Sequence, residues 1–274
     1  MALANSINTN VGALVALRNL NATNKDLGQV QDRVSTGLKV IGALDDASSF
    51  AIAQGLRADI KAIGAVQQGL ANGRGVSTVA VAGSTEVSNL LADIKKKITE
   101  GMNAGNTTSQ QNILDADYGE LVDQVLNFIQ NSEFNGKNML ATGAVDVEVI
   151  ADTSGGSLTV RAQDLQATVF DLLNAEDLSD TTNATAALSV VNTAIDTVGT
   201  ALGQLGADAR ALEFQDNFLN SIADALDEGL GSIVDADLAK ESARLQALQV
   251  KQQLGVQTLS IANASPQVLL SLFR

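Results

Sequence analysis

Three carboxylate pairs are the first residues in this sequence to suggest chemistry: Asp45-Asp46, Asp115-Ala116-Asp117 and Asp235-Ala236-Asp237. The second and third are of a kind that holds Mg²⁺ or Ca²⁺, or shares acid–base work, when a basic partner or a glycine-rich loop stands beside them. The 274-residue chain contains no His and no Cys. That removes imidazole catalysis, thiol nucleophiles, disulfides and zinc sites with nitrogen or sulfur ligands. Gly73-Arg74-Gly75 lacks the lysine and the glycine spacing of a phosphate loop. Lys95-Lys96-Lys97 reads as a solvated face, with an anionic contact as the sharper alternative. The second and third carboxylate pairs read as helix-surface charge. Asp45-Asp46 stays open between capping a helix start and pairing with Arg33 or Lys39 to fix a bend between domains. No catalytic, metal-binding or cofactor-binding residue is expected, and a carboxylate-based enzyme is a remote alternative.

The elements that would position these residues are long helices. The chain is 45% hydrophobic but only 3% aromatic, with one Pro and no Trp. An apolar content built from Ala, Leu, Val and Ile suits helices packed along narrow seams. The clearest seam is Leu188, Val191, Ile195, Val198, Leu202, Leu205, Ala209, Leu212, Asp216, Leu219, Ala223, Leu226, Leu230 and Ile233, broken only by Asp216. A seven-residue repeat of this length predicts one coiled-coil helix of about 70 Å that needs partner helices.

Residues 7–38 form a first helical stretch through Ile7, Val11, Leu14, Leu17, Leu20, Leu27, Val30, Val34 and Leu38, capped near Asn8-Thr9-Asn10 and stopped at Gly37. A second helix opens at Asp45-Asp46 and carries Ile63, Val66, Leu70, Gly73, Ser77, Ala80, Ser84, Val87, Leu91, Ile94 and Ile98 on one line. A third places Leu114, Tyr118, Leu121, Val125 and Phe128 together. Asn135-Gly136 signals a tight turn. Alternation at Val145, Val147 and Val149, then at Leu158 and Val160, predicts a β-hairpin. The last stretch repeats through Leu238, Leu245, Leu248 and Leu259, until Pro266 kinks or ends it before an apolar tail with Leu269 and Phe273. The simplest packing pairs the first helix with the last and sets the second and third against 188–233. Residues 140–180 then form an outward excursion.

Charge agrees with this division. Residues 1–39 carry +2 and residues 238–274 carry +3, whereas 40–237 carry −19. An acidic middle argues against nucleic-acid binding. No stretch approaches the roughly 18 apolar residues of a membrane span, and the start shows no cleavable targeting signal.

Several stretches together resemble bacterial flagellin. They are Ser6-Ile7-Asn8-Thr9-Asn10; Arg33 to Val40 with Asp45-Asp46-Ala47 and Ala51-Ile52-Ala53; Glu133 to Leu140; Ser232 to Glu241; and Ala262 to Leu269. The resemblance covers roughly residues 1–140 and 188–274. It implies a mainly α fold, a long-helix coiled-coil rod formed by both terminal regions with a small β-hairpin in the middle, without large inserted surface domains. The expected domains are an inner one from 1–39 and 238–274, and a rod domain from 40–237. The rod domain has its hairpin at about 140–165 and a surface link at 166–187.

The resemblance further implies a secreted, extracellular subunit that polymerises with itself into the filament used for swimming. The expected partners are hook-associated and cap proteins, an export chaperone and the flagellar secretion apparatus, with no cofactor. A hook–filament junction protein is the alternative. The self-assembly interface is expected at Val11, Leu14, Leu17, Leu20, Leu27, Val34, Leu38, Leu238, Leu245, Leu248, Leu259, Leu269 and Phe273. Arg33, Asp45 and Asp46 mark the inter-domain bend. The rod-domain seam is expected at Leu188, Ile195, Leu202, Leu205, Leu212, Leu219, Leu226 and Ile233. Where flagellins carry a patch read by an innate-immune receptor, this chain has Asp93 and Lys97 in place of the expected arginine and leucine, so weak recognition is predicted. Ser and Thr residues of 142–185 stand open between O-linked sugars and no modification.

Overall fold

A computed structural model of the chain describes residues 9–271, with side chains through residue 264. The chain order is α1 (Val11–Thr36), α2 (Ala47–Gly101), α3 (Thr108–Asn131), β1 (Glu133–Phe134), β2 (Lys137–Asn138), β3 (Val147–Ile150), β4 (Ser157–Val160), a π-helical turn (Gln166–Phe170) continuing into α4 (Asp171–Leu173), α5 (Thr181–Val234) and α6 (Leu238–Ser271). Two units divide this chain, with the divisions at Ala58/Asp59 inside α2 and Asp224/Ala225 inside α5. The expected boundaries, 39/40 and 237/238, lie instead in the link between α1 and α2 and at the start of α6.

Local chemistry accounts for the helix limits. Asn10 Oδ1 accepts the amide of Ala13 at 3.0 Å, and Gly37 closes α1 at φ 75°. Thr107 and Gln110 form a reciprocal capping box at the start of α3. Asp180 takes the amides of Thr182 and Asn183 at 2.7 and 2.8 Å and so starts α5. Asn135 and Gly136 both have positive φ, 50° and 77°, which turns β1 directly back into β2.

In the unit spanning 59–224, α2 buries the whole predicted line from Ile63 to Ile98. Ser77, Ala80 and Ser84 keep its middle thin, and the Ser77 hydroxyl donates to the Leu205 carbonyl of α5 at 3.3 Å. The buried line of α5 departs from the expected seam at every second step. It runs through Ala184, Ala187, Val191, Ala194, Val198, Ala201, Leu205, Asp208, Leu212 and Leu219. Leu188, Ile195 and Leu202 stand one residue further along and are half-buried. The alanines leave room for a close approach of α2, where a Cβ added at Gly101 would lie 3.5 Å from the Cβ of Ala184, and the larger side chains stand half-buried beside the line. Polar pairs close the far end: Gln67 to Asn220 at 2.8 Å, and Arg74 to Asp216 at 3.4 Å.

The face of α3 is likewise rotated from the expected one. Gln111, Tyr118, Val122, Val125 and Ile129 are buried, and Leu114, Leu121 and Phe128 are half-buried. Residues 140–180 do not form the expected outward excursion, nor 166–187 a surface link. Leu140, Val160, Leu165, Val169, Leu173 and Leu178 are buried, and residues from Thr181 onward already belong to α5. The segment is drawn inward by specific anchors. Leu178 N–H donates to Asp115 at 2.7 Å, the Tyr118 hydroxyl donates to the Leu173 carbonyl at 2.6 Å, and Gln215 reaches the Ala151 carbonyl at 2.6 Å. Strands β3 and β4 pair in register from Val147↔Val160 to Ile150↔Ser157.

In the other unit α1 lies along α6, joined by Leu27, Val30 and Leu248 with Val34 and Leu245 beside them. The links at the two helix ends pair as one short bridge. Lys39 N–H donates to the Val234 carbonyl at 2.7 Å, and Ala236 N–H to the Gly37 carbonyl at 2.8 Å. Val40, Ala53 and Val234 form a small core there with Leu38, Phe50, Leu230 and Ile233. Helix α6 runs past Pro266 to Ser271 rather than ending at the proline.

Candidate self-assembly surface

Each carboxylate pair is engaged in structural contacts. Asp46 caps α2 through the amides of Ser48 and Ser49 at 3.0 and 3.1 Å, and bonds from Ser49 hold its pKa below the ordinary value. Asp45 accepts the amides of Ile41 and Gly42 at 3.0 and 3.2 Å. Arg33 pairs with Glu241 of α6 at 3.6 Å, and Lys39 donates to the Ser232 carbonyl at 3.0 Å. The structure therefore places Asp45 and Asp46 in capping and turn contacts, while Arg33 and Lys39 turn to the C-terminal segment. Asp117 binds Lys97 at 3.0 Å, a hydrogen bond that raises the lysine pKa. Asp237 caps α6 through Lys240 N–H at 3.1 Å. Among the described residues, no group of three or more His, Cys, Asp or Glu could hold a metal ion, and no helix is long and apolar enough to cross a membrane.

The glycines around Arg74 are there for packing. A Cβ at Gly73 would meet Val149 at 2.5 Å, and one at Gly75 would meet Phe134 at 2.6 Å. Backbone proximity between α2 and the two hairpins thus explains this Gly-x-Gly.

What is left unsatisfied is apolar surface. On α1, Val11, Leu14, Val15 and Leu17 are 42–50% exposed. On α6, Val250, Leu254, Val256 and Ile261 are 55–65% exposed, and Leu238 is 49% exposed. Exposed apolar side chains gathered along two helices in this way mark a contact surface. The residues expected at the interface fall into two sets. Val11, Leu14, Leu17 and Leu238 face outward. Leu27 and Leu248 are buried in the α1–α6 seam of the chain itself, and Leu20, Val34, Leu38, Leu245 and Leu259 are half-buried. The side chain of Leu269, and Phe273, lie outside the described residues. Val15, Val250, Leu254, Val256 and Ile261 were not expected, because they stand off the heptad line. Apolar residues on a second face of a helix already carrying one seam are the signal that identifies them. Of the expected rod seam, Leu205, Leu212 and Leu219 are buried, and Leu226 and Ile233 half-buried.

Long helices that keep apolar side chains exposed beyond their closed seam have the build of a self-associating class of protein. Comparisons with known proteins give the family. Residues 7–144 match the bacterial flagellin N-terminal helical region, and residues 188–273 match the bacterial flagellin C-terminal helical region. Flagellin FljO of Caulobacter vibrioides is 40% identical over 270 residues, covering 98% of this chain and 99% of that one. A flagellin of Brucella melitensis is 39% identical over 281 residues, with 98% and 99% covered. The crystal structure of Bacillus cereus flagellin aligns with a TM-score of 0.52 at 23% identity, over 55% of this chain and 88% of that one. A putative flagellar hook-associated protein from Vibrio parahaemolyticus aligns with a TM-score of 0.59 at 14% identity, over 70% and 100%. At these identities both structures speak for the fold alone. The chain belongs to the bacterial flagellins, in a short form without a large inserted domain. It is a structural subunit of the extracellular flagellar filament.

Proposed function

We propose that the outward apolar faces of α1 and α6 are the surfaces through which subunits join, and that the α1–α6 seam serves to present them. The observation that carries this is the second apolar stripe on a helix pair whose first stripe is already closed. Fully covering a Val, Leu or Ile side chain contributes roughly 1.5–3 kcal/mol. Several per subunit, repeated along a polymer, offset the cost of immobilising each copy. Leu269 and Phe273 belong to the same proposed surface. Arg33, Asp45 and Asp46 would stiffen the linked helix ends at the bend, and the α5 seam would hold the rod domain. Hook-associated and cap proteins, an export chaperone and the flagellar secretion apparatus complete the proposed partners.

Seeded polymerisation tests the surface. The purified chain should extend short filament seeds, and Leu254→Asp should abolish extension while leaving monomer helicity unchanged by circular dichroism. Normal extension by Leu254→Asp would remove α6 from the contact. The proposal also includes weak innate-immune recognition, supported by Lys97 being held by Asp117 and Glu100 where a leucine is expected. A receptor-reporter cell line should respond less than to a standard flagellin. An equal response would defeat this reading.

A further inference from the structure

The unit spanning 59–224 carries an open apolar groove and an exposed aromatic pair. Between α2 and the two hairpins lies an apolar groove of about 520 Å³, bounded by Gly69 and Gly73 on α2, Phe134, and Val147, Val149 and Ile150 of β3. That is the size of sites that take a bulky apolar group. The glycines have different roles. A Cβ at Gly73 would strike Val149, whereas one at Gly69 would meet nothing within 4 Å, so Gly69 leaves the groove open without contributing to the fold. The chain has seven Phe, one Tyr and no Trp. Among the described residues only Phe214 and Phe218 are exposed aromatics, at 68% and 57%. They stand one turn apart on α5, so both rings share one face. Helix α5 contributes no residue to the groove.

Charge fits the two together. Lys137 and Glu148 are exposed on the groove rim, while Arg210 and Glu213 flank the phenylalanines. None of these four forms an ion pair among the described residues. A rim with one charge of each sign meets a flank with one of each sign, so opposite charges can pair in one orientation of approach.

We propose that Phe214 and Phe218 of one subunit seat in the Gly69 groove of a second copy of this chain. Plug and socket are different surfaces of the same molecule, so the contact is heterologous and propagates instead of closing on itself. The inference rests on the filament reading above and adds a second contact, distant in sequence from α1 and α6.

The chain has no Cys, which makes cross-linking clean. Full-length Gly69→Cys/Phe218→Cys subunits, seeded into filaments and mildly oxidised, should give a ladder of disulfide-linked multimers. Either single variant should give dimers at most. Gly69→Leu, which fills the groove, and the double variant Phe214→Ser/Phe218→Ser should each slow seeded extension by about tenfold or more. Their monomer melting temperatures should stay at or above wild type for the first and near it for the second. Wild-type extension at normal rate by both variants, with no ladder, overturns the docking and leaves the filament reading intact. Failure of the unmodified chain to extend seeds overturns both.

Discussion

Asp208 shows how a single residue ties distant parts of this chain together. It is 5% exposed, on the buried line of α5. Burial pushes its pKa up. Hydrogen bonds from the Arg161 side chain at 2.6 and 3.3 Å, Arg161 N–H at 3.0 Å and Gln204 at 3.0 Å outweigh that and hold it below the ordinary carboxylate value. A depressed folded-state pKa contributes stability that is present above the unfolded value, near pH 4, and lost as pH falls through the folded one. The Arg161 head is half exposed, so the pair is worth less than a fully buried one. Asp208→Asn should therefore cost about 1–3 kcal/mol at neutral pH. It should also flatten the loss of stability below about pH 4. Urea titrations of the monomer across that range measure both, and an unchanged pH profile would remove Asp208 from the account. Nothing in the sequence joins the two, because 47 residues separate them and an aspartate on a helix normally reads as surface. The same is true of Asp115, which takes the amide of Leu178. By contrast, Asn10, Gly37, Asp46 and Gly136 were legible in advance, since caps and tight turns depend on neighbours only a few residues away.

At the scale of elements, heptad reading located each long helix and most of its seams but misjudged the N-terminal half of α5. Leu188, Ile195 and Leu202 have the larger apolar side chains, so a count of hydrophobicity draws the stripe through them. The buried positions are Ala187, Ala194 and Ala201. What fits there is set by how closely α2 approaches, as at Gly101, where an added Cβ would lie 3.5 Å from the Cβ of Ala184. Gly83 belongs to the same logic, since a Cβ there would collide with Ser132 where α3 ends. The α1–α6 pair separates two roles that one heptad list had merged. Leu27 lies inside the pair at 8% exposure, whereas Leu254 lies outside at 57%. Leu27→Asp would put an unpaired charge into the seam, one of the few single changes that costs several kcal/mol. It should release the amides of 11–36 to hydrogen exchange while those of 59–224 keep their protection. Unchanged protection across 11–36 would mean that the seam contributes little to holding α1.

For the whole molecule, composition and repeat decide what kind of protein this is. An apolar content with few aromatics and seams longer than an ordinary globular helix favour association along helices. Family comparison and fold agree with that. The −19 charge on 40–237 suits a solvated exterior, and the near-neutral ends suit burial against other copies. The proposed contacts are surfaces that a single copy leaves uncovered: the outward apolar side chains of α1 and α6, and the exposed Phe pair and apolar groove of the middle unit. The long helices, the caps at Asn10, Gly37 and Asp46, the two hairpin turns and the family are legible in the sequence alone, because each rests on short-range periodicity, local hydrogen bonding or contiguous motifs. Only the tertiary structure decided that residues 140–180 fold inward, that alanines rather than leucines line half of the α5 seam, and that apolar residues on α1 and α6 divide into an inner and an outer set. Those outcomes depend on side-chain size and polar partners tens of residues away, which a repeat cannot encode.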